Sequence, residues 1–270
     1  MKTRIIAAAV LVPILLILVL IAPKIVAAII FGLLLAIGAY ELLYGTGLVR
    51  KPRLVLYAAV MSFAVCMWSY MEAVQAYLLL MLLFFCVLLF SEMMMDHVKV
   101  RFETISMCFV AGFLVPYLLS SLIRILVMNT GRYFILLPFA VAFLSDAGAY
   151  FVGLRFGKHK LAPVVSPNKT IEGVFGGIAG AMIGMLIYAL VLDLACKFDV
   201  NYGLAILYGL IGSLTGVFGD LCFSIIKRQT GIKDYGNLIP GHGGVLDRFD
   251  SLMTVAPLME ALLIILPLAV

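Results

Sequence analysis

Nine apolar runs, each close to the length that crosses a hydrocarbon core, follow one another along this chain with short polar breaks between them. They lie near residues 5–22, 25–45, 53–71, 74–95, 104–127, 133–153, 171–195, 203–226 and 247–270. A spanning helix needs about 20 mostly apolar residues. The composition excludes a soluble alternative. Of 270 residues, 65% are hydrophobic and 12% charged, whereas soluble domains run at roughly 45–50% and about 25%. The expected fold class is therefore all-α: a polytopic integral membrane helix bundle of about nine transmembrane helices. The first run follows a basic start, as a signal peptide would. It is long for a secretory apolar segment and a second run follows almost at once, so it is read as an uncleaved first span.

The loops sort by charge. One set holds Lys2, Arg4, Arg50, Lys51, Arg53, Lys99, Arg101, Arg155, Lys158, Lys160, Lys169, Lys227, Arg228, Lys233 and Arg248; the other holds only Lys24, Arg132 and Lys197, with Arg124 near the outer end of the fifth run. By the positive-inside rule the N-terminus is cytoplasmic and the C-terminus outside, in the cell's inner (cytoplasmic) membrane. Nine spans require this alternation, so the charges support the count independently of hydropathy.

Two styles of sequence divide the chain. Residues 1–130 are Leu/Ile/Val-rich and read as a lipid-facing scaffold. Residues 131–270 are richer in Gly, Ser and Asp and contain two long cytoplasmic loops, 154–170 and 227–246, which read as the catalytic region. Gly176, Gly180 and Gly184 recur every four residues beside Gly173 and Gly177, and Gly212 and Gly216 repeat the spacing in the next run. Small residues so placed let helix backbones approach closely in lipid. They put these two spans in one tight bundle and permit a homodimer without requiring one. The cysteines Cys66, Cys86, Cys108, Cys196 and Cys222 form no CxxC pair and read as small apolar residues. No basic stretch interleaves with aromatics, which argues against nucleic acid.

The chemistry-bearing residues gather at the cytoplasmic ends of the later spans. Asp220 lies about two turns inside the eighth run, with Ser224, Lys227 and Arg228 at helical spacings from it. Asp247 and Asp250 stand at i and i+3 where the ninth begins, expected on one helix face, after the turn Pro240-Gly241-His242-Gly243-Gly244. Such a turn ahead of a helix offers backbone N–H groups to anions. In Ser166-Pro167-Asn168-Lys169-Thr170-Ile171-Glu172-Gly173, Thr170 suits an N-cap and Glu172 a first helical turn. Lys169 is left as a cation free to meet a phosphate. Asp146 sits among small residues in Ser145-Asp146-Ala147-Gly148-Ala149-Tyr150, which leaves room for a ligand. Other polar residues have ordinary explanations: Arg124 snorkels outward, Glu41 and Glu92 reach water at helix ends, and His97 and His159 carry no ligand spacing. Carboxylates suit a hard cation such as Mg²⁺, and Lys and Arg suit phosphate oxygens. The set fits phosphoryl or nucleotidyl transfer at a membrane.

The stretch Ser224-Ile225-Ile226-Lys227-Arg228, then Lys233-Asp234, then Pro240-Gly241-His242-Gly243-Gly244-Val245-Leu246-Asp247-Arg248-Phe249-Asp250 resembles the signature of the phosphatidate cytidylyltransferases, or CDP-diacylglycerol synthases. The segments 145–150 and 166–173 look like that family too, with Ile171 where members often have Trp. The resemblance covers residues 133–270 well; the first five spans match only in character. It implies that CTP and phosphatidic acid give CDP-diacylglycerol and pyrophosphate. On this reading Asp220, Asp247 and Asp250 are catalytic and hold Mg²⁺, with Asp250 a ligand or a neighbour of one. A second cation is allowed by two-metal logic. Lys227 joins the catalytic set. Lys227, Lys233, Arg248 and the backbone of His242, Gly243 and Gly244 hold CTP phosphates, with Arg228 and Ser224 beside them. Lys169, Arg155 and Lys158 attract the lipid headgroup, Ser166 joins the substrate-binding residues, and Asp146 lies in or beside the site. Membrane lipids surround the acyl chains, so phosphatidic acid enters sideways. A CTP-dependent lipid kinase would release CDP instead of pyrophosphate, and an ion-coupled transporter would place its carboxylates at the midplane.

Overall fold

The computed structural model describes residues 2–71, 77–238 and 243–269, with side chains from residue 9 onward. The expected Pro240-Gly241-His242 contribution, the side chains of Lys2 and Arg4 and the first residues of the fourth expected span lie outside the described residues. The chain runs α1 (Lys2–Leu20), α2 (Lys24–Tyr40), a π-helical turn (Glu41–Gly45), α3 (Pro52–Tyr70), α4 (Leu78–Met95), α5 (Phe102–Phe109), a second π turn (Val110–Leu114), α6 (Val115–Leu119), α7 (Ser121–Val127) and α8 (Gly131–Phe134). It continues with α9 (Leu136–Phe156), β1 (Lys160–Ala162), β2 (Ser166–Thr170), α10 (Ile171–Cys196), α11 (Tyr202–Gln229), α12 (Leu246–Phe249) and α13 (Leu252–Ile265). Among the described residues seven helical stretches are long and apolar enough to cross a membrane: Lys24–Gly45, Pro52–Tyr70, Leu78–Met95, Phe102–Val127, Gly131–Phe156, Ile171–Cys196 and Tyr202–Gln229. Ala9–Leu20 and Leu252–Ile265 are apolar but shorter. Helices are what such a sequence must form, because lipid offers the backbone no hydrogen-bond partners.

Two compact units emerge, Met1–Met128 with Gln229–Phe249, and Asn129–Arg228 with Asp250–Val270. In the first, α2 packs on α3, where Gly32 makes room for the Phe63 ring, and Gly112 lies against Ala58 and Phe85. The span Phe102–Val127 is interrupted because Pro116 lacks the N–H an α-helix would use, and the π turn and a break at Ser120 absorb it. Arg124 departs from the outward snorkelling expected of it. Its guanidinium donates to Ser120 Oγ (2.9 Å), Ser121 Oγ (2.7 Å), Ser69 Oγ (3.0 Å) and the Tyr117 carbonyl (3.2 Å) and lies 4.7 Å over the Tyr117 ring. A half-buried cation gains more from this hydroxyl nest than from a long reach to water.

In the second unit α9 and α10 meet backbone to backbone. A Cβ on Gly148 would overlap the Gly176 carbonyl, one on Gly180 the Leu144 carbonyl, and one on Gly184 the Leu144 side chain. The four-residue glycine spacing is thus spent on close approach, and Gly209 brings α11 equally close to Ala181 and Met182 of α10. Ser145 and Ser213 hydroxyls pair at 2.7 Å inside this contact. Thr170 caps α10 as expected, accepting from Gly173 N (3.1 Å). Lys197, in the left-handed region at φ 57°, closes the other end. The loop expected at 154–170 contains a two-stranded antiparallel hairpin, β1 on β2, with Lys160 opposite Thr170 and Ala162 opposite Ser166. Strands of three and five residues carry too little alternation to announce themselves in sequence.

Gly148→Val or Gly176→Leu should part α9 from α10. Overpacking of this kind costs about 1–3 kcal/mol, so folded protein remaining after heating in detergent should fall well below wild type. Ile183→Ala, on the exposed side of α10, should leave it nearly unchanged.

Candidate functional site

Asp220 sits on α11 more than two turns before its end, and its carboxylate is occupied on both sides. Oδ1 accepts from Ser224 Oγ (3.2 Å), one turn on, and Oδ2 pairs with the Lys169 ammonium delivered by β2. Lys169 is therefore not the free cation expected of it; the hairpin carries it to the acid. The Arg228 Nε donates to the Val165 carbonyl (3.1 Å), fastening the hairpin tip to the end of α11. Sequence separation hid this arrangement, but the residues belong to the two segments read as functional.

Asp250 lies on the turn ahead of α13. One edge stays open to solvent, yet the protein around it depletes the water near its carboxyl. Burial pushes the group up to about 7, the Asp220 charge pushes in the same direction and Asp146 adds to it, while the Ser251 N–H (2.8 Å from Oδ1) and Lys227 pull the other way. Asp250 thus feels Asp220 and Asp146, with Lys227 opposing them, and Lys169 pairs with Asp220. Three acids and two lysines named from the sequence are gathered in this unit. Arg155 and Lys158 stand exposed near the end of α9. The Arg155 guanidinium lies 5.7 Å from the Phe156 ring centroid, and the Lys158 N–H, with that of His159, donates to Glu172. Ser166 is engaged in the hairpin pairing. His159, read as incidental, hydrogen-bonds Glu172 at 2.6 Å, so Glu172 orders the turn before the hairpin as well as the start of α10.

The signature segment behaves differently from its expected geometry. Asp247 and Asp250 do not share a face of one helix, because α12 ends at Phe249 and α13 begins only at Leu252. Asp247 is 6% exposed, and its Oδ2 accepts from Tyr235 N (2.8 Å) and Gly244 N (3.0 Å). The carboxylate turns back onto its own loop. Gly243, at φ 82°, adopts a backbone conformation that favours glycine and lies where a Cβ would crowd that oxygen. Lys233 and Arg248 are exposed. Among the described residues no three His, Cys, Asp or Glu side chains form a group able to hold a metal. Two backbone amides thus engage one oxygen of Asp247. Glu41, expected to reach water, is instead 4% exposed and accepts from Val245 N (3.0 Å) and Leu246 N (2.9 Å). Nothing in a lone Glu after an apolar run signals a partner 204 residues away.

Long apolar helices with an acid–lysine cluster drawn from α9, β2, α11 and the turn before α13 define a polytopic membrane protein whose charged site suits a phosphate-bearing ligand. The comparison with known proteins is more particular: the Cytidylyltransferase family matches residues 2–266, and the chain belongs to that family. It is 48% identical over 136 residues to the phosphatidate cytidylyltransferase of Staphylococcus haemolyticus (strain JCSC1435), a stretch covering 50% of this chain and 51% of that protein. It is likewise 48% identical over 136 residues to that of Staphylococcus aureus (strain COL), and 46% to that of Staphylococcus saprophyticus, with the same coverage. The matched stretch spans about half the length of these curated relatives.

The Asp250 value yields a test with a definite sign. A folded value of about 7 against an ordinary 3.8 means the folded state keeps a proton that the unfolded chain has released. This group's stabilisation is full below about pH 4 and is lost as pH rises through about 7. In EDTA, thermal stability should decline across that window, and Asp250→Asn should flatten the decline. An identical slope in the variant would return Asp250 to the ordinary carboxylate range.

Proposed function

We propose that this protein is a phosphatidate cytidylyltransferase, joining CTP and phosphatidic acid into CDP-diacylglycerol with release of pyrophosphate. The observation that carries the reading is the clustering of Asp146, Asp220 and Asp250 with Lys169 and Lys227 in one unit; family membership and the named relatives support it. A phosphate oxygen of phosphatidic acid forms a bond to the α-phosphorus of CTP as the bond from that phosphorus to the bridging oxygen of pyrophosphate breaks. The attacking monoester is already ionised near neutral pH, so no general base is required. The task is to bring two anions together in line, which is positioning and electrostatics.

The cluster fits a hard divalent cation. The Asp220 and Asp146 charges raise the proton affinity of Asp250, an effect that Mg²⁺ would relieve, and such ions bind through one or two carboxylates plus substrate phosphates. Asp220 and Asp250 would hold it, with a second cation allowed nearby. When bound, Mg²⁺ supplies charge neutralisation on the reacting phosphates. Ser224 orients Asp220 through its hydrogen bond. Lys169 pairs with Asp220 and is positioned to exchange that partner for a phosphate oxygen. Lys227 neutralises phosphate charge beside Asp250. Lys233, Arg248 and the Gly243–Gly244 backbone serve the CTP phosphates, and Arg155 and Lys158 draw the acidic headgroup toward the helix ends. Asp247 is assigned to holding the loop that carries these groups.

The reaction is tested with purified protein, phosphatidic acid, Mg²⁺ and CTP labelled at the α-phosphate. Label should enter the lipid extract, vanish with EDTA and fall by roughly 100-fold or more in Asp220→Asn, as expected for lost preorganised electrostatics. Soluble labelled CDP with unlabelled lipid would point to γ-phosphoryl transfer and overturn the reading.

We further propose that the seven long helices and the two shorter apolar ones together make nine spans in the cytoplasmic membrane. The N-terminus and the charged site face the cytoplasm, and the C-terminus lies outside. The bias of basic residues supports this. A reporter active only outside the cytoplasm should be active when fused after residue 270 and silent when fused within loop 154–170; the reverse pattern would invert the topology.

A further inference from the structure

A carboxylate removed from water is costly unless the protein replaces its hydration with donors. Glu41 meets that requirement in an unusual place. It opens a π-helical turn at the end of α2, a local widening that re-aims side chains. Each of its two oxygens takes one backbone N–H of the signature segment: Oε1 from Val245 at 3.0 Å, and Oε2 from Leu246 at 2.9 Å. Charge-assisted bonds of this type are shorter and about twice as strong as neutral ones. The surroundings are cut to fit. A Cβ at Gly236 or Gly244 would overlap the Glu41 carboxylate, and one at Gly45 would overlap the Tyr235 carbonyl.

The same short loop is clasped a second time. Asp247, one residue beyond Leu246, draws in Tyr235 N and Gly244 N. Glu41 fixes the backbone just before Asp247, and Asp247 ties Tyr235 to Gly244. Arg248 follows directly, its N–H donating to the Val245 carbonyl (2.9 Å). We propose that Glu41, in the scaffold half of the chain, is a positioning residue for the signature segment: it holds Val245 and Leu246 so that Asp247 and Arg248 are presented in a fixed geometry. It touches no substrate and acts only through the loop. The kinetic half of this proposal rests on the cytidylyl-transfer reading; the structural half does not.

The test uses the full chain in detergent, with Glu41→Gln, Glu41→Asp and Gly236→Ala. Glutamine keeps the volume but sets an N–H donor against one of the two amides. Hydrogen exchange read by mass spectrometry should show lost protection confined to residues 235–247. The kcat for label transfer should fall by about 10- to 100-fold, the range for groups that orient a site from behind, with KM for phosphatidic acid little changed. Glu41→Asp, which keeps the charge with a shorter reach, should recover part of both. If Glu41→Gln does not accumulate, Gly236→Ala should give the same local loosening, since its methyl group pushes the loop off an intact carboxylate. Wild-type protection at 235–247 in Glu41→Gln overturns the proposal. So does protection lost across α2 and α3, with activity falling only in step with the folded fraction. If the wild-type protein transfers no label, the reaction reading fails by itself, and the exchange pattern alone then decides the role of Glu41.

Discussion

Every polar group in a chain whose solvent is lipid must find its partner inside the protein, and this constraint runs through the structure from backbone to site. It forces the apolar runs into helices. It makes Arg124 collect three serine hydroxyls and a carbonyl instead of stretching outward. It turns Glu41 inward onto two amides. Helix association feels it too. With no hydrophobic gain from leaving lipid, α9 and α10 are held by close contact, which only glycine at Gly148, Gly176 and Gly180 allows. That contact fixes the ends of the helices from which the charged cluster rises.

Within the cluster the electrostatics are deliberately unbalanced. Asp220 is satisfied by Ser224 and Lys169, whereas Asp250 is held against burial and two like charges. On the proposed function, a site that takes a cation and then two phosphate anions would gain from both conditions: the acids would draw the cation, and Lys169, already paired to Asp220, could change partner without first being brought from solution. Preorganisation of this kind places the reorganisation cost in folding, before any substrate arrives.

The legible part of this architecture was the part written in local pattern. Hydropathy marked the seven long apolar helices, while α13, like Ala9–Leu20, is shorter than its apolar run suggested. Thr170 read correctly as a cap because capping is decided within four residues. The functional stretch from Ser224 to Asp250 was recognisable by resemblance. What sequence could not give was long-range pairing. Lys169 with Asp220 and Glu41 with Val245 and Leu246 join residues far apart in the chain, and each was read as reaching for water or for substrate because no local rule names a distant partner. The i, i+3 spacing of Asp247 and Asp250 misled because it presumes an unbroken helix, and the break at Asp250–Ser251 carries no Gly or Pro to announce it.

That break separates the surroundings of two acids three residues apart. Paired carboxylates differ in behaviour through the difference in their environments. Asp247 is buried and one of its oxygens accepts from two backbone amides. Asp250 receives one amide and feels the charges of Asp220 and Asp146. On an uninterrupted helix the two would point one way into one environment and could not differ so far. The short helix α12 and the turn after it therefore do more than begin a span. They set Asp247 against the amides of Tyr235 and Gly244 and Asp250 among other acids, and the buried Glu41 carboxylate holds the two residues just before Asp247.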